Sequence, residues 1–137
     1  MINIKENNRD IDEFNQLYEA VGWGAYTNKD IVKKALDNTF YSVSVYNEGE
    51  IVGFGRLIGD SVCFMYIQDV MVKPEFQNQK IGSLIMTKIL EKVKELKQEN
   101  PSIRVYLGAS KGKEEFYERF GFVKRIDEDL GYGMILK

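Results

Sequence analysis

Three runs rich in β-branched and aromatic residues follow one another in the middle of the chain, at residues 40–46, 51–59 and 62–72. The short segments Asn-Glu-Gly-Glu and Gly-Asp-Ser separate them and are typical of turns. Strands joined by connections this short pair with their neighbours in antiparallel fashion. The sequence therefore predicts a three-stranded antiparallel meander on which the other elements have to pack.

Two helices are predicted before the meander, because apolar residues recur at helical spacing over 11–21 and 31–36. Asn8 and Asp10 are candidate caps of the first helix. Thr27 predicts the start of a capping box for the second.

After the meander, a long helix is predicted from about Lys80 and a short helix over 113–120. Further strands are predicted at residues 2–5, 103–109, 122–125 and 132–137. The fold class is therefore mixed α+β, with a mostly antiparallel sheet of six to seven strands flanked by about four helices.

The composition limits both the domain organisation and the chemistry. With 137 residues, 44% of them hydrophobic, and no repeat or linker, the chain is expected to form a single domain over residues 1–137. The net charge of -2 offers no general attraction to nucleic acid or to an anionic membrane. A single cysteine and no histidine exclude an internal disulfide and a histidine-based triad, and no metal site is expected.

The hydropathy pattern gives an expectation about location. The N-terminus has no apolar leader segment, and no apolar run approaches the ~20 residues that span a bilayer. We therefore expect a cytoplasmic protein.

The most informative segment covers residues 70–86, where a strand runs through a turn into the start of a long helix. The first amides of a helix lack intrahelical carbonyl partners and lie at the positive end of its dipole, so they can bind a phosphate. Gly82 permits close approach and Lys80 adds a positive charge. An ordinary strand-turn-helix explains the same residues, so both interpretations stay open. The segment lacks the P-loop and Rossmann glycine patterns, which disfavours ATP, GTP and NAD.

Two motifs, at residues 77–82 and 114–125, point to a known family. Gln-Asn-Gln-Lys-Ile-Gly is similar to the signature Gln/Arg-x-x-Gly-x-Gly/Ala of the GNAT superfamily of acetyl-CoA-dependent N-acetyltransferases. The second segment resembles the superfamily pattern Phe-Tyr-Glu-Lys/Arg-x-Gly-Phe. The order of the predicted elements also matches the superfamily fold over nearly the whole chain. Within it, the sequence resembles small bacterial aralkylamine acetyltransferase-like members.

The resemblance implies acetyl-CoA as co-substrate and assigns the residues that contact it. The pantetheine arm is expected to lie along the third strand of the meander and the pyrophosphate on the following turn. These contacts comprise Val70, Met71, Val72, Gln77, Asn78, Gln79, Lys80, Ile81, Gly82 and Ser83, with Ser110 and Lys113 as further candidates.

One residue departs from the signature, because Lys80 stands where the superfamily has its first glycine. A left-handed backbone conformation at that position makes lysine costly. We expect ordinary helical angles at Lys80, since the position enters a helix, with an altered affinity for the cofactor.

Attack on a thioester needs a neutral amine, yet an alkylamine with a pKa of about 10.4 is protonated at neutral pH. The candidate bases are Asp69, or a water held by Tyr66 and Gln68. Strand alternation places Asp69 on the opposite face from Tyr66 and Gln68, so the two proposals exclude each other unless a β-bulge intervenes. Asp69 is otherwise a solvated or backbone-pairing carboxylate.

The leaving thiolate needs an acid, and the resemblance assigns this role to the phenol of Tyr117. As an alternative, Tyr117 is a packing residue beside other aromatic side chains. The resemblance also places the acceptor next to the loop between the first two helices, where Trp23 and Tyr26 join Tyr66 as candidate contacts. One or both loop aromatics can instead anchor the loop to the core.

The sequence as a whole favours an N-acetyltransferase that acts on a primary amine of a small molecule or peptide by direct attack. The alternative is a non-catalytic acetyl-CoA-binding sensor or interaction module. Many relatives in the superfamily form homodimers, and no surface pattern in this sequence demands one. The sequence identifies neither the acceptor nor the base.

Overall fold

The computed structural model describes all 137 residues, which form four α-helices and a five-stranded sheet. The strands are β1 (Ile2–Glu6), β2 (Tyr41–Asn47), β3 (Glu50–Gly59), β4 (Phe64–Val72) and β5 (Arg104–Leu107). The helices are α1 (Ile11–Ala20), α2 (Lys29–Asp37), α3 (Ile81–Glu99) and α4 (Glu114–Glu118). Residues 1–106 form one compact unit and residues 107–137 a second. The expectation of a single domain over 1–137 stays a prediction.

The sheet has the strand order β1-β2-β3-β4-β5, and the pairs from β1 to β4 are antiparallel. The predicted meander is confirmed, as is the mixed α+β class. None of the helices is both long enough and apolar enough to cross a bilayer.

The two faces of the sheet are covered by different helices. On β3, Phe54 packs edge-on against Phe14 of α1, with ring centroids 5.5 Å apart. Its neighbours Gly53 and Gly55 face α3 instead, because successive residues of a strand point to opposite faces. The face under α1 and α2 is filled by Phe14, Leu17, Val32, Leu36, Tyr46, Ile51, Phe54 and Met71.

The helix starts differ from the predicted caps in two places. Asp10 caps α1 by accepting the Glu13 N–H at 2.9 Å, as predicted, while the Asn8 amide donates instead to Glu13 and Tyr46. The prediction that Thr27 caps the second helix is wrong by one residue. Asn28 is the cap of α2, because its carboxamide oxygen accepts the N–H two residues later, at Asp30, at 3.0 Å.

The two C-terminal strands predicted at 122–125 and 132–137 are absent, so the sheet has five strands rather than six to seven. The Phe122 N–H donates to the Tyr117 carbonyl at 3.3 Å and thereby closes the end of α4 instead of entering a ladder. Residues 125–128 form a short 3₁₀ helix, and 132–137 form neither helix nor strand.

Close packing of α3 on β3 depends on Gly55. A Cβ at this position would lie 2.6 Å from Ile85 Cγ2 and 3.1 Å from Ile89 Cδ1. Gly55→Val is therefore expected to lower the free energy of unfolding by about 1–3 kcal/mol through overpacking. Urea denaturation measures the change. Gly131→Val is the control, because nothing lies within 4 Å of a Cβ there; equal stability of the two variants would contradict the tight contact.

Candidate active site

A β-bulge interrupts β4 at Asp69. Arg56 of β3 pairs with Gln68, and Phe54 pairs with Met71, so Asp69 and Val70 together lie opposite the single residue Gly55. Asp69 has a φ of 55°, which is the left-handed region. A bulge of this kind leaves the extra residue out of the ladder and redirects the side chains beside it.

The bulge removes the conflict between the two candidate bases. The Gln68 side-chain amide donates to Asp69 Oδ1 at 3.2 Å, so the two side chains meet on one face of the sheet. Tyr66 lies two residues before Gln68 on the regular part of β4, and its side chain therefore points to the same face of the sheet. The exclusion that regular alternation imposed does not hold here.

Asp69 is held by an ion pair with Arg56. The Arg56 Nε donates to Asp69 Oδ2 at 2.8 Å, and the two side chains are 14% and 6% exposed. Arg56 Nη1 also donates to the Thr39 hydroxyl at 3.2 Å and to the Ala35 carbonyl at 3.3 Å. Both carboxylate oxygens of Asp69 are thus engaged, and Arg56 ties the bulge to the end of α2.

Three aromatic residues cluster on the same face. The Tyr18 ring lies 5.4 Å from that of Trp23 and 5.1 Å from that of Tyr26, and Trp23 and Tyr26 are 43% and 41% exposed. Asn15 fixes the loop by exchanging two hydrogen bonds with the backbone of Tyr26, at 3.1 and 3.2 Å. The loop aromatics therefore both stabilise the loop and present exposed ring surface.

The phenol of Tyr18 connects this cluster with the bulge. A long hydrogen bond with Tyr26, burial, and the negative charges that Tyr26 and Asp69 can carry raise the pKa of Tyr18 to about 12. The sequence reasoning missed Tyr18 and Arg56. The available signals were a polar atom on the apolar face of α1 and a charged residue inside an apolar strand.

The turn between β4 and α3 contains two left-handed residues, Asn78 with a φ of 64° and Lys80 with a φ of 66°. The expectation of ordinary helical angles at Lys80 is wrong. The helix begins at Ile81, and Lys80 is its cap rather than its first helical residue. A left-handed conformation costs a residue other than glycine about 1–2 kcal/mol.

The first turn of α3 presents free amides. Its first helical hydrogen bond runs from the Leu84 N–H to the Lys80 carbonyl at 3.0 Å, so the N–H groups of Ile81, Gly82 and Ser83 precede the ladder. No side chain caps them. Such amides at the positive end of a helix dipole form an anion site.

The remaining turn residues fix its shape. The Gln77 side-chain amide donates to the Val72 carbonyl at 3.2 Å, and that of Gln79 donates to the Glu75 carbonyl at 3.3 Å. Gln77, Asn78, Gln79 and Lys80 are all exposed, while Val70 and Val72 are half-buried and Met71 is buried. The predicted cofactor residues of this unit thus lie in two groups, 70–72 after the bulge and 77–83 from the turn into the first turn of α3.

Three predicted residues lie in the unit formed by 107–137. Tyr117 is half-buried on α4, its ring contacts those of Phe116 and Phe122 at 5.0 and 6.3 Å, and burial raises the pKa of its phenol. The Lys113 N–H donates to the Ser110 carbonyl at 2.9 Å at the start of this helix, and both residues are exposed. The other predicted site residues lie in 1–106.

Residues 12–134 match the family described as acetyltransferase (GNAT) domain. Over 117 residues the chain is 34% identical to an uncharacterised N-acetyltransferase, ycf52-like, from Prochlorococcus marinus; the match covers 82% of this chain and 62% of the relative's length. The chain thus spans less than two thirds of that relative.

Two solved structures are similar over the whole chain. A Staphylococcus aureus protein of unknown function, described as a probable acetyltransferase, has a TM-score of 0.85 and 28% identity, covering 100% of this chain and 99% of its own. A GNAT family acetyltransferase from Streptococcus pneumoniae has a TM-score of 0.82 and 29% identity, covering 100% and 98%.

Substitution of Arg56 tests how much its ion pair with Asp69 contributes to the free energy of unfolding. Arg56→Leu leaves a buried carboxylate unpaired, and the free energy of unfolding should fall by about 3–5 kcal/mol. The double variant Arg56→Leu with Asp69→Leu should recover most of this loss, because no buried charge remains. Urea denaturation of the four proteins of the cycle measures the coupling.

The control for this cycle is Arg9→Leu, which breaks the exposed pair with Asp37 and should change stability little. A double variant as unstable as Arg56→Leu alone would contradict the role of the ion pair.

Proposed function

The chain belongs to the GNAT acetyltransferase family, and on that premise we propose that it transfers an acetyl group from acetyl-CoA to a primary amine of a small molecule or peptide. The observation that carries the proposal is the uncapped first turn of α3, which follows β4 and its bulge along the chain. This arrangement offers a phosphate site and a strand with disrupted pairing within one continuous stretch of chain.

The donor is proposed to bind along this stretch. The N–H groups of Ile81, Gly82 and Ser83 would hold the pyrophosphate, with the Lys80 ammonium adding charge. The pantetheine arm would use backbone groups of residues 70–72, which follow the bulge. Ser110 and Lys113 remain proposed contacts of the cofactor, and their exposure is compatible with that role.

The acceptor is proposed to bind beside the aromatic cluster. Trp23 and Tyr26 expose ring faces over which an ammonium or an aromatic amine can stack. Tyr66 lies on the face of the sheet that carries Asp69. These features favour an amine with an aromatic or extended apolar part.

The ammonium proton of the acceptor is proposed to pass to bulk solvent through water held by Tyr66 and Gln68. Asp69 already accepts from Arg56 and Gln68, so both of its carboxylate oxygens are engaged. We therefore assign Asp69 a positioning role, in which it fixes the Gln68 amide. The neutral amine nitrogen then attacks the acetyl carbonyl directly, so no acyl-enzyme is formed.

Tyr117 is proposed to protonate the departing thiolate. Burial raises its pKa, so the phenol stays protonated over the whole neutral range and is able to donate. This role and the ring contact with Phe116 are compatible, because the contact uses the ring and leaves the hydroxyl free to act.

Binding of acetyl-CoA is testable by thermal denaturation. Acetyl-CoA and CoA should raise the Tm while ATP does not, and a ligand at 100 times its Kd adds about 2.7 kcal/mol. Ser83→Asp should abolish this rise, because a carboxylate at the helix start repels phosphate although it suits the dipole of the free protein. Gln98→Glu, an added negative charge at the other end of α3, is the control and should respond normally. A normal rise in the Tm of Ser83→Asp with acetyl-CoA would contradict the proposed phosphate site at the start of α3.

Catalysis is testable through Tyr117→Phe. Turnover, followed as thiol release with a panel of arylalkylamines, should fall by about 10²–10⁴-fold, while the Tm response to CoA is kept. Tyr106→Phe is the matched control with unchanged turnover. Donor binding without thiol release by any amine in the wild-type protein would favour the non-catalytic sensor.

A further inference from the structure

One side chain of α1 holds the loop that joins the first two helices. Asn15 accepts a hydrogen bond from the Tyr26 N–H at 3.2 Å and donates one to the Tyr26 carbonyl at 3.1 Å. The carboxamide thus pairs with both backbone groups of Tyr26, because it carries a donor and an acceptor side by side. The position of Tyr26 therefore depends on a residue of the helix and not on the loop alone.

The second half of this loop has no other backbone contact that fixes it. Gly22 and Gly24 have φ values of 83° and 91°, a region in which glycine is at ease. The Trp23 N–H donates to a carbonyl of α1 and so fixes the first half of the loop. From residue 24 to residue 27, no backbone group bonds to another backbone group. Asn15 is thus what holds this half in place.

The aromatic cluster depends on where Tyr26 lies. The Tyr26 hydroxyl is 3.5 Å from that of Tyr18, and the two ring centroids are 5.1 Å apart. Trp23 contacts the same Tyr18 ring at 5.4 Å, so the three rings form one surface. A surface that is already ordered binds a ligand more tightly, because less conformational entropy is lost on binding.

We propose that Asn15 is a positioning residue for the acceptor. Through its two hydrogen bonds it holds Tyr26, and with it the ring surface, in the arrangement that binds an amine with an aromatic part. Asn15 acts through Tyr26, since its oxygen and its nitrogen both bond to that residue. The inference rests on the proposed function and names a residue on which the acceptor side of that function depends.

The seat of α1 on the sheet does not depend on Asn15. Phe14 and Leu17 are 3% and 0% exposed and anchor the helix in the core, whereas Asn15 is half-buried at its flank. A further tie is the ion pair between Asp12 and Lys29, which joins the two helices at 2.9 Å. Asn15→Leu is therefore expected to fold and to release only the loop.

The first test compares the kinetics of Asn15→Leu with those of the wild type. Loss of both hydrogen bonds should raise the KM for phenylethylamine by about tenfold. The kcat and the KM for acetyl-CoA should be unchanged, which is the pattern of lost acceptor binding. For propylamine, which has no ring to place on the surface, the KM should be the same in both proteins. Asn15→Asp still accepts from the Tyr26 N–H, so its KM for phenylethylamine should lie between the two.

Asn100→Leu is the matched control. The Asn100 side chain also bonds twice to the backbone, since it accepts from the Ser102 N–H at 3.1 Å and donates to the Val62 carbonyl. It lies at the C-terminal end of α3, and its substitution should leave the KM for phenylethylamine unchanged. An equal rise of KM in both variants, or a fall in kcat alone in Asn15→Leu, would indicate general destabilisation and overturn the proposal.

Hydrogen exchange tests the contact itself. The Tyr26 amide should exchange slowly in the wild type and fast in Asn15→Leu, because its acceptor is removed. Fast exchange in the wild type would contradict the role of Asn15.

Calorimetry with phenylethylamine and the CoA-bound protein separates this inference from the proposed function. Weaker binding by Asn15→Leu, with no thiol release by the wild type, would contradict acetyl transfer and still support the positioning role. Equal binding by the two proteins, or binding by neither, overturns the positioning role.

Discussion

The ion pair between Arg56 and Asp69 is the interaction on which the candidate site depends. A residue other than glycine at a φ of 55° is strained, and it persists only where its surroundings fix it. Arg56 does this from the neighbouring strand and reaches at the same time to Thr39 at the end of α2. The pair therefore fixes the position of the bulge and the orientation of the Gln68 side chain. It also fixes the position of the end of α2.

The two faces of the sheet are packed differently around the bulge. On one face the aromatic cluster and the Arg56–Asp69 pair form a polar, partly open surface under α1 and α2. On the other, Gly53 and Gly55 let α3 approach β3 closely, which fixes the start of that helix relative to β4. The uncapped start of α3 and the exposed aromatic surface are thus positioned by packing on opposite faces of the sheet.

The sequence predicted the meander and the helices, because these follow from local signals: alternation, helical spacing and turn residues. It did not predict the bulge, since the register depends on which residue of β3 lies opposite Asp69. The roles of Arg56 and Tyr18 were missed for the same reason, as their partners are distant in the chain. The strand pattern at 122–125 and 132–137 led to a wrong prediction, because alternation indicates a suitable strand sequence but not whether the segment pairs. The roles of all the predicted site residues stay predictions.

Lys80 shows that the turn before α3 can adopt a left-handed conformation without a glycine. The backbone at this position is left-handed although the side chain is that of lysine, so the turn is formed at the cost of some strain. Divergent members of such a family can therefore lose the glycine and keep the dihedral angles. A search that requires the glycine letter would pass over them, whereas a search for two left-handed residues before an uncapped helix would find them.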